Sequence, residues 1–298
     1  MPRMRVDGCA IVGRLSDHRV RESVAATAQV LRARGIAVFV AADTGSTDLP
    51  DEVEAIAESE LLHKANLVIA VGGDGTLLRA AQLVAGRDVP LVGINRGRLG
   101  FLTDILPQDA AQALETILDG DGLEDVRAML DVTLRDGTRT LARGMALNDV
   151  VLQKAETGRM VDFESRVDGT YVNTHRADGV IVATATGSTA YALSCGGPIV
   201  APTLDVLVLT PICPHTLSDR PIVLPATAQI EIALNERDET RAQIMCDGQV
   251  LAEIEPGQTI RVAVAPHAIK LLHPRDYDYY RLLRSKLHWG RGGNHSER

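Results

Sequence analysis

Hydrophobic and polar positions follow two different rhythms along the chain, and the change falls near residue 125. Before it, short apolar runs take turns with amphipathic stretches. "RVDGCAIVG" (5–13) reads as a buried strand. In the stretch that follows, Val20, Val24, Ala28 and Leu31 recur at helical spacing. Ser16 or Asp17 is the expected start cap and Gly35 the expected stop. "IAVFVA" is a second strand, and a second amphipathic helix is expected from about Pro50 to Lys64. "NLVIAVGG" is a third strand and "VPLVGIN" a fourth, with "PQDAAQALETILDG" as another helix. Strand and helix alternating in this way predict a parallel sheet covered by helices.

After the change the chain offers short strands broken by Asp-Gly pairs, at Asp136-Gly137, Asp168-Gly169, Asp178-Gly179 and Asp247-Gly248. Such pairs between apolar runs predict hairpins. The expected organisation is therefore an α/β domain over 1–125 and an all-β domain over 126–273. A terminal helix over 274–290 packs back on the first domain, and 291–298 form a flexible tail. With no repeat and no low-complexity linker, the two domains are expected to pack tightly around a ligand cleft.

Composition narrows the function classes. The formal net charge is −8, which argues against a broad nucleic-acid surface. A few arginines in one cleft are still enough to attract an anionic small molecule. No apolar run reaches membrane-spanning length, and the N-terminus lacks the pattern of a signal peptide. The expectation is a cytoplasmic protein with no membrane partner. Cys9, Cys195, Cys213 and Cys246 form no CxxC pair and are expected as reduced, buried thiols.

Several familiar chemistries are absent by motif. There is no GxxxxGK[ST], no GxGxxG after the first strand, no HExxH and no GxSxG. What remains is "GGDGT" (72–76), a glycine turn between a strand and a helix. Glycines let backbone N–H groups approach phosphate, and a helix N-terminus favours negative charge. A bare carboxylate there, Asp74, needs a reason. It is tolerable near phosphate if a metal ion sits nearby or if it takes a proton from an attacking hydroxyl; otherwise it merely caps the helix beginning near Thr76. A second dense stretch, Arg176 to Val200, contains "ATGSTAYALS". Thr186, Ser188, Thr189 and Ser194 offer hydroxyls and Tyr191 a flat face for a base, unless this is an ordinary turn with Tyr191 in the core. Asn148 and Asp149, side by side in "ALNDVVLQK", suit the vicinal hydroxyls of a ribose or form an Asx turn.

Taken in order, "GGDGT", "GFLTD" (100–104), "LNDVVL", "DGVIVATATGSTAYALSCGGPIV" and "PHTLSDRPIVLP" closely resemble the bacterial NAD kinase family over about residues 60–225. The resemblance implies ATP-dependent phosphorylation of the 2′-hydroxyl of the adenosine ribose of NAD, giving NADP. It further implies a β-sandwich as the C-terminal domain, a homo-oligomer (dimer or tetramer), and a divalent cation such as Mg²⁺ delivered with ATP. Asp74 matches the family's proton acceptor, with Gly75 beside the substrate and Phe101 in the "GFLTD" stretch. Asn148 and Asp149 match the pair that holds the NAD ribose. Thr186, Thr189, Ala190, Tyr191 and Ser194 belong to the substrate-binding turn. Arg159, Arg176 and Asp178 fall at further ligand contacts, and Gln249 is a weaker match. Two departures stand out. The family has Asn-Glu where this chain has Asn148-Asp149, so the shorter acid needs a closer backbone or a bridging water. Ala185 replaces a proline, which predicts a more mobile turn. A lipid or sugar kinase with a similar glycine turn is a rival, though 3% aromatic residues give little for an acyl-chain groove. A non-catalytic nucleotide sensor is a second rival, and it would not need Asp74.

Overall fold

The computed structural model describes residues 5–42, 49–97, 100–155, 160–235 and 241–289. The chain forms two compact units, Met1–Val126 with Ile269–Arg298, and Arg127–Ala268. Among the described residues no helix is long and apolar enough to cross a membrane.

The first unit is built on seven strands: β1 (Gly8–Gly13), β2 (Ala37–Ala41), β3 (Glu54–Ile56), β4 (Leu67–Gly72), β5 (Leu91–Asn95), β6 (Leu123–Arg127) and β19 (Ile269–His273). They lie in the order β3-β2-β1-β4-β5-β19-β6, and β3 through β19 pair in parallel. β4 and β5 are buried at every residue, as a parallel sheet covered on both faces requires. Helix α1 (His18–Ala33) starts on Asp17, whose side chain accepts from the Arg19 N–H, and Gly35 follows its end at φ +76. Its Val20, Val24, Ala28 and Leu31 pack with Leu114 and Ile117 of α4 (Ala110–Leu118) over the apolar strand residues. Each large side chain buried this way contributes about 1.5–3 kcal/mol.

The helix expected from Pro50 is shorter than its pattern. Its first half forms β3, and only Glu58–Lys64 becomes helix α2. Pairing Glu54, Ala55 and Ile56 with Phe39, Val40 and Ala41 satisfies the β2 edge, which a helix could not do. The second departure is β19. Residues 269–273 carry an apolar strand pattern but leave the β-rich unit and join the first sheet beside β5. Helix α6 (Tyr279–Leu287) follows in the same unit, capped by the Asp278 carboxylate.

The second unit contains two antiparallel six-stranded sheets. One has the order β11-β10-β15-β18-β7-β8, made from β7 (Leu130–Asp136), β8 (Arg139–Ala146), β10 (Val161–Val167), β11 (Thr170–Ala177), β15 (Ile230–Leu234) and β18 (Thr259–Val264). The other has the order β14-β13-β12-β9-β16-β17, made from β9 (Asp149–Lys154), β12 (Gly179–Thr184), β13 (Val206–Ile212), β14 (Ile222–Pro225), β16 (Ala242–Cys246) and β17 (Gln249–Ile254). Alternate residues of both sheets, among them Val132, Phe163, Val182, Leu209 and Ile244, form one apolar core. Three of the four Asp-Gly pairs sit between hairpin strands. The fourth, Asp178-Gly179, carries the chain from β11 in one sheet to β12 in the other.

Strand β19, between β5 and β6, ends on a buried histidine. His273 is 2% exposed, with Nδ1 3.0 Å from Asp104 Oδ2 and Nε2 3.6 Å from Asp125 Oδ2. Its ring stacks on Tyr277 with centroids 3.9 Å apart. Burial pulls its pKa down, but hydrogen bonds and charge from Asp104 and Asp125 raise it by more, so it lies above the ordinary value. A pKa raised on folding contributes stability that is complete below the unfolded value of about 6.5 and is lost as pH rises through the folded value. The wild type should therefore melt above His273→Gln by the widest margin near pH 6, and the margin should shrink toward pH 9 in a thermal denaturation series.

Candidate active site

In the first unit the direction of strand addition reverses between β1 and β4. Ligands of α/β sheets bind at the carboxyl ends of strands flanking such a reversal. "GGDGT" leaves the carboxyl end of β4 and opens helix α3 (Asp74–Val84), which buries Leu77, Ala80, Ala81 and Val84. Gly73 stands at the N-cap and makes no side-chain capping bond. The first N–H groups of α3 have no acceptor within the helix. Gly72 is required by packing, since a Cβ there would overlap the Thr76 hydroxyl.

Asp74 is the first residue of α3, and its carboxylate turns to another loop. Oδ2 accepts the Phe101 N–H at 2.8 Å. Oδ1 accepts the Leu102 and Thr103 N–H groups at 3.0 and 3.1 Å and the Thr103 hydroxyl at 3.2 Å. The capping alternative is thereby answered, because the acid spends its bonds on residues 101–103 rather than on α3. Gly100 must be glycine at this approach, as an added Cβ would overlap the Asp74 carboxylate. Asn95, at the end of β5, holds the same loop through Thr103 Oγ1 at 2.8 Å. Gly75 follows Asp74 with open space around its Cα. Phe101 is half-buried, with Lys286 Nζ 5.9 Å from its ring centroid.

In the second unit a second carboxylate repeats the device. Asp247 Oδ2 accepts the Leu147 N–H at 2.8 Å, and Oδ1 accepts the Asn148 and Asp149 N–H groups at 2.8 and 3.3 Å. This turn, rather than an Asx turn of its own, fixes the Asn148-Asp149 pair. The "TATGST" turn is tied to it. Thr184 Oγ1 donates to the Leu147 carbonyl at 2.7 Å and accepts the Gly187 N–H at 3.0 Å. A Cβ on Gly187 would overlap the Asn148 carbonyl. Thr186 Oγ1 accepts from Arg127 at 3.2 Å, and Thr189 Oγ1 donates to the Thr186 carbonyl at 3.3 Å. Ser188 is wholly buried and structural, bonded to Ala185 and Val200. Ala185 has φ −55, the value a proline would impose.

Asp149 is 5% exposed and its carboxyl is pushed up to about 7, first by burial and then by the Asp247 charge, with the Tyr191 N–H pulling it partly back. Tyr191 opens the short helix α5 (Tyr191–Ser194) after Ala190 and is 38% exposed. Its phenol is raised by burial, then by Cys195, Cys213, Asp178 and Asp149. Asn148, Asp149, Asp178, Ala190 and Tyr191 thus converge. Asp178 pairs with Lys154 at 2.5 Å. Ser194 is exposed on α5, and Gln249 is exposed at the start of β17 directly after the Asp247 turn. Arg176 does not turn toward this group; its exposed guanidinium lies 3.7 Å from Asp162. Arg159 and the tail from 290 lie outside the described residues. The expectation of four buried thiols is corrected, because Cys213 is exposed at φ +45 beside Tyr191.

Asp247, Thr103, Thr184 and Lys154 were not singled out from sequence. Their partners lie up to 100 residues away, and only the Asp247-Gly248 pair carried a local signal, that of a hairpin.

A glycine turn that opens a helix and carries a gripped carboxylate, with a second gripped turn in a separate β unit, is an arrangement suited to a nucleotide phosphotransferase. Residues 10–122 match the ATP-NAD kinase N-terminal domain, and residues 147–274 match the ATP-NAD kinase C-terminal domain. The NAD kinase of Azoarcus sp. is 46% identical over 290 residues, covering 96% of this chain and 97% of that protein. The NAD kinase of Marinobacter nauticus is 45% identical over 280 residues, covering 94% and 95%. The crystal structure of an Archaeoglobus fulgidus NAD kinase in complex with ATP superimposes with a TM-score of 0.71 at 27% identity, over 94% of this chain and 98% of that one. Yeast NADH kinase complexed with NADH shares the fold, with a TM-score of 0.88 at 23% identity, over 98% and 90%. The chain belongs to the ATP-NAD kinase family and has NAD kinase activity.

The buried Asp149 carboxyl makes a testable demand on stability. A carboxyl whose pKa rises on folding loses stability as pH climbs from about 4 to about 7, after which the loss is complete. Asp149→Asn should therefore raise the melting temperature by several degrees at pH 8 and by little at pH 4.5, measured in matched buffers without nucleotide.

Proposed function

We propose that Asp74 is the proton acceptor in the transfer of the terminal phosphate of ATP to the 2′-hydroxyl of the adenosine ribose of NAD. The single observation behind this is the placement of its carboxylate at the carboxyl end of β4, turned away from the helix it begins and held by four donors. Three of those bonds fall on Oδ1 and one on Oδ2, so Oδ2 keeps a lone pair for the hydroxyl proton. The hydroxyl oxygen forms the new O–P bond, its proton passes to Oδ2, and ADP carries away the electrons of the broken O–P bond. Backbone N–H groups of the glycine turn hold phosphate. Asn148 and Asp149 hold ribose hydroxyls and Tyr191 stacks on a base.

A divalent cation, Mg²⁺ or similar, would arrive with ATP and would neutralise phosphate charge. Among the described residues no group of three or more His, Cys, Asp or Glu side chains could hold it, so phosphate oxygens and water would supply most of its ligands. A cytoplasmic homo-oligomer, dimer or tetramer, completes the reading, and light scattering on the purified protein tests the assembly. NADP formation from ATP, Mg²⁺ and NAD, coupled to an NADP-specific dehydrogenase, tests the reaction. Stabilisation by NAD but not by diacylglycerol in mild detergent separates it from a lipid kinase.

The geometry sharpens the test of Asp74. Asp74→Asn removes the base but also sets an amide N–H₂ against one of the donors that now reach the acid, so the loop at 100–103 feels the change too. General-base catalysis is worth about 10²–10⁴ in rate, and kcat should fall by that order. Dissociation constants for NAD and ATP should move far less, which shows that the loop still stands. A folded variant that makes NADP at the wild-type rate removes Asp74 from the chemistry.

A further inference from the structure

A second polar chain lies buried in the β-rich unit, away from the groups assigned above. Ser165 Oγ is 2.9 Å from His175 Nε2, and His175 Nδ1 is 3.0 Å from Asp219 Oδ2. Asn173 Nδ2 donates to the other Asp219 oxygen at 2.7 Å. The His175 ring stacks on Phe163, with centroids 4.9 Å apart. The connectivity is that of a serine hydrolase triad, but the chemistry is not, because Ser165 is fully buried and no acyl substrate could reach it. The side chains of His175 and Asp219 are 5% and 6% exposed.

The chain of contacts crosses between sheets. Ser165 and His175 sit on β10 and on the edge strand β11, whereas Asp219 lies beyond β13 of the other sheet. The segment between β13 and Arg220 is otherwise exposed. Leu217 is 88% exposed, and Cys213 holds a left-handed φ of +45. One backbone bond, His215 N–H to the Arg176 carbonyl at 2.9 Å, also ties it to β11. At its start, the Asp178 N–H donates to the Ile212 carbonyl at 2.9 Å, and Cys213 lies close enough to Tyr191 to act on its phenol. A buried carboxylate bonded to two side chains of β11, His175 and Asn173, is a strong fixing point for so exposed a loop.

We propose that Ser165, His175 and Asp219 are positioning residues for NAD, which fix the Cys213–Arg220 segment to β11 and so set the wall of the nucleotide turn beside Tyr191. The inference rests on the assignment of Asn148, Asp149 and Tyr191 to NAD. None of the three residues touches substrate; they act through the segment.

Steady-state kinetics and amide hydrogen exchange on the full chain test it. Asp219→Ala should raise KM for NAD about tenfold, the equivalent of about 1.4 kcal/mol. kcat should stay within a few-fold and KM for ATP should not move. Peptides covering 213–220 should exchange faster, while those of β12 should not. Asp219→Asn keeps one acceptor oxygen and should recover most of the lost affinity. A uniform loss of stability would instead speed exchange in β12 as well and leave the KM values of the folded fraction unchanged, and that result overturns the proposal. So does an unchanged KM for NAD in a folded Asp219→Ala protein. If Asp219→Ala does not fold, the same readouts on Ser165→Ala decide in the same way. Asn148→Ala serves as the reference. Should it also leave KM for NAD unaltered, the nucleotide assignment itself has failed, and the exchange data, which need no substrate, still report whether the segment is fixed.

Discussion

A carboxylate that gathers consecutive backbone N–H groups of a turn far away in sequence is the interaction on which both halves of this protein depend. Asp74 takes the N–H groups of residues 101, 102 and 103, and Asp247 takes those of 147, 148 and 149. Backbone donors are fixed in direction, so a carboxylate bonded to three of them is fixed as well. The converse also holds. A turn that would otherwise leave its N–H groups to water is pinned to one conformation by a single distant side chain. In the first unit the device orients the acid and the loop together. In the second it orients the Asn148-Asp149 pair through their backbone N–H groups, without using either side chain.

That economy sets two acids close together. Asp149 lies buried beside Asp247, and burial first and the Asp247 charge second make its carboxyl harder to ionise. Keeping the acid there costs the folded chain some stability at neutral pH, which Asn at position 149 would relieve. The Tyr191 N–H, at the start of α5, is the one compensating donor among the groups that shift this acid. It joins the Asn148-Asp149 turn to the start of α5 through a single bond.

Much of this was legible in the sequence where local pattern decides the outcome. The alternation of strand and helix, the Asp17 cap, the glycine stop of α1 and the hairpin turns at Asp136, Asp168 and Asp247 all depend on a few adjacent residues. The misreadings share a cause. Glu54–Ile56 has helical composition, but the open edge of β2 supplies hydrogen bonds that no propensity records. Residues 269–273 look like another strand of the β-rich unit, and only the vacancy beside β5 explains why they join the first sheet. Site residues divide in the same way. "GGDGT" and "ATGSTAY" announce themselves by small residues at turns, whereas Thr103, Thr184 and Asp247 act across gaps of tens of residues. Arg176 stands next to a motif as well, and its side chain lies against Asp162 on the neighbouring strand.

The same contrast explains why glycines mark this site so clearly. Gly100 admits the Asp74 carboxylate, Gly72 admits the Thr76 hydroxyl, and Gly187 admits the Asn148 carbonyl. None of the three has the positive φ that most often demands glycine. Each is there because a polar atom of the site occupies the space a Cβ would fill. The glycines are the visible imprint in the sequence of contacts whose other partner is distant. The acid in the glycine turn is therefore not an intruder in a phosphate loop. The loop is open at Gly100 to receive it, and of the four donors that meet it three fall on Oδ1 and one on Oδ2, which leaves Oδ2 the less occupied oxygen.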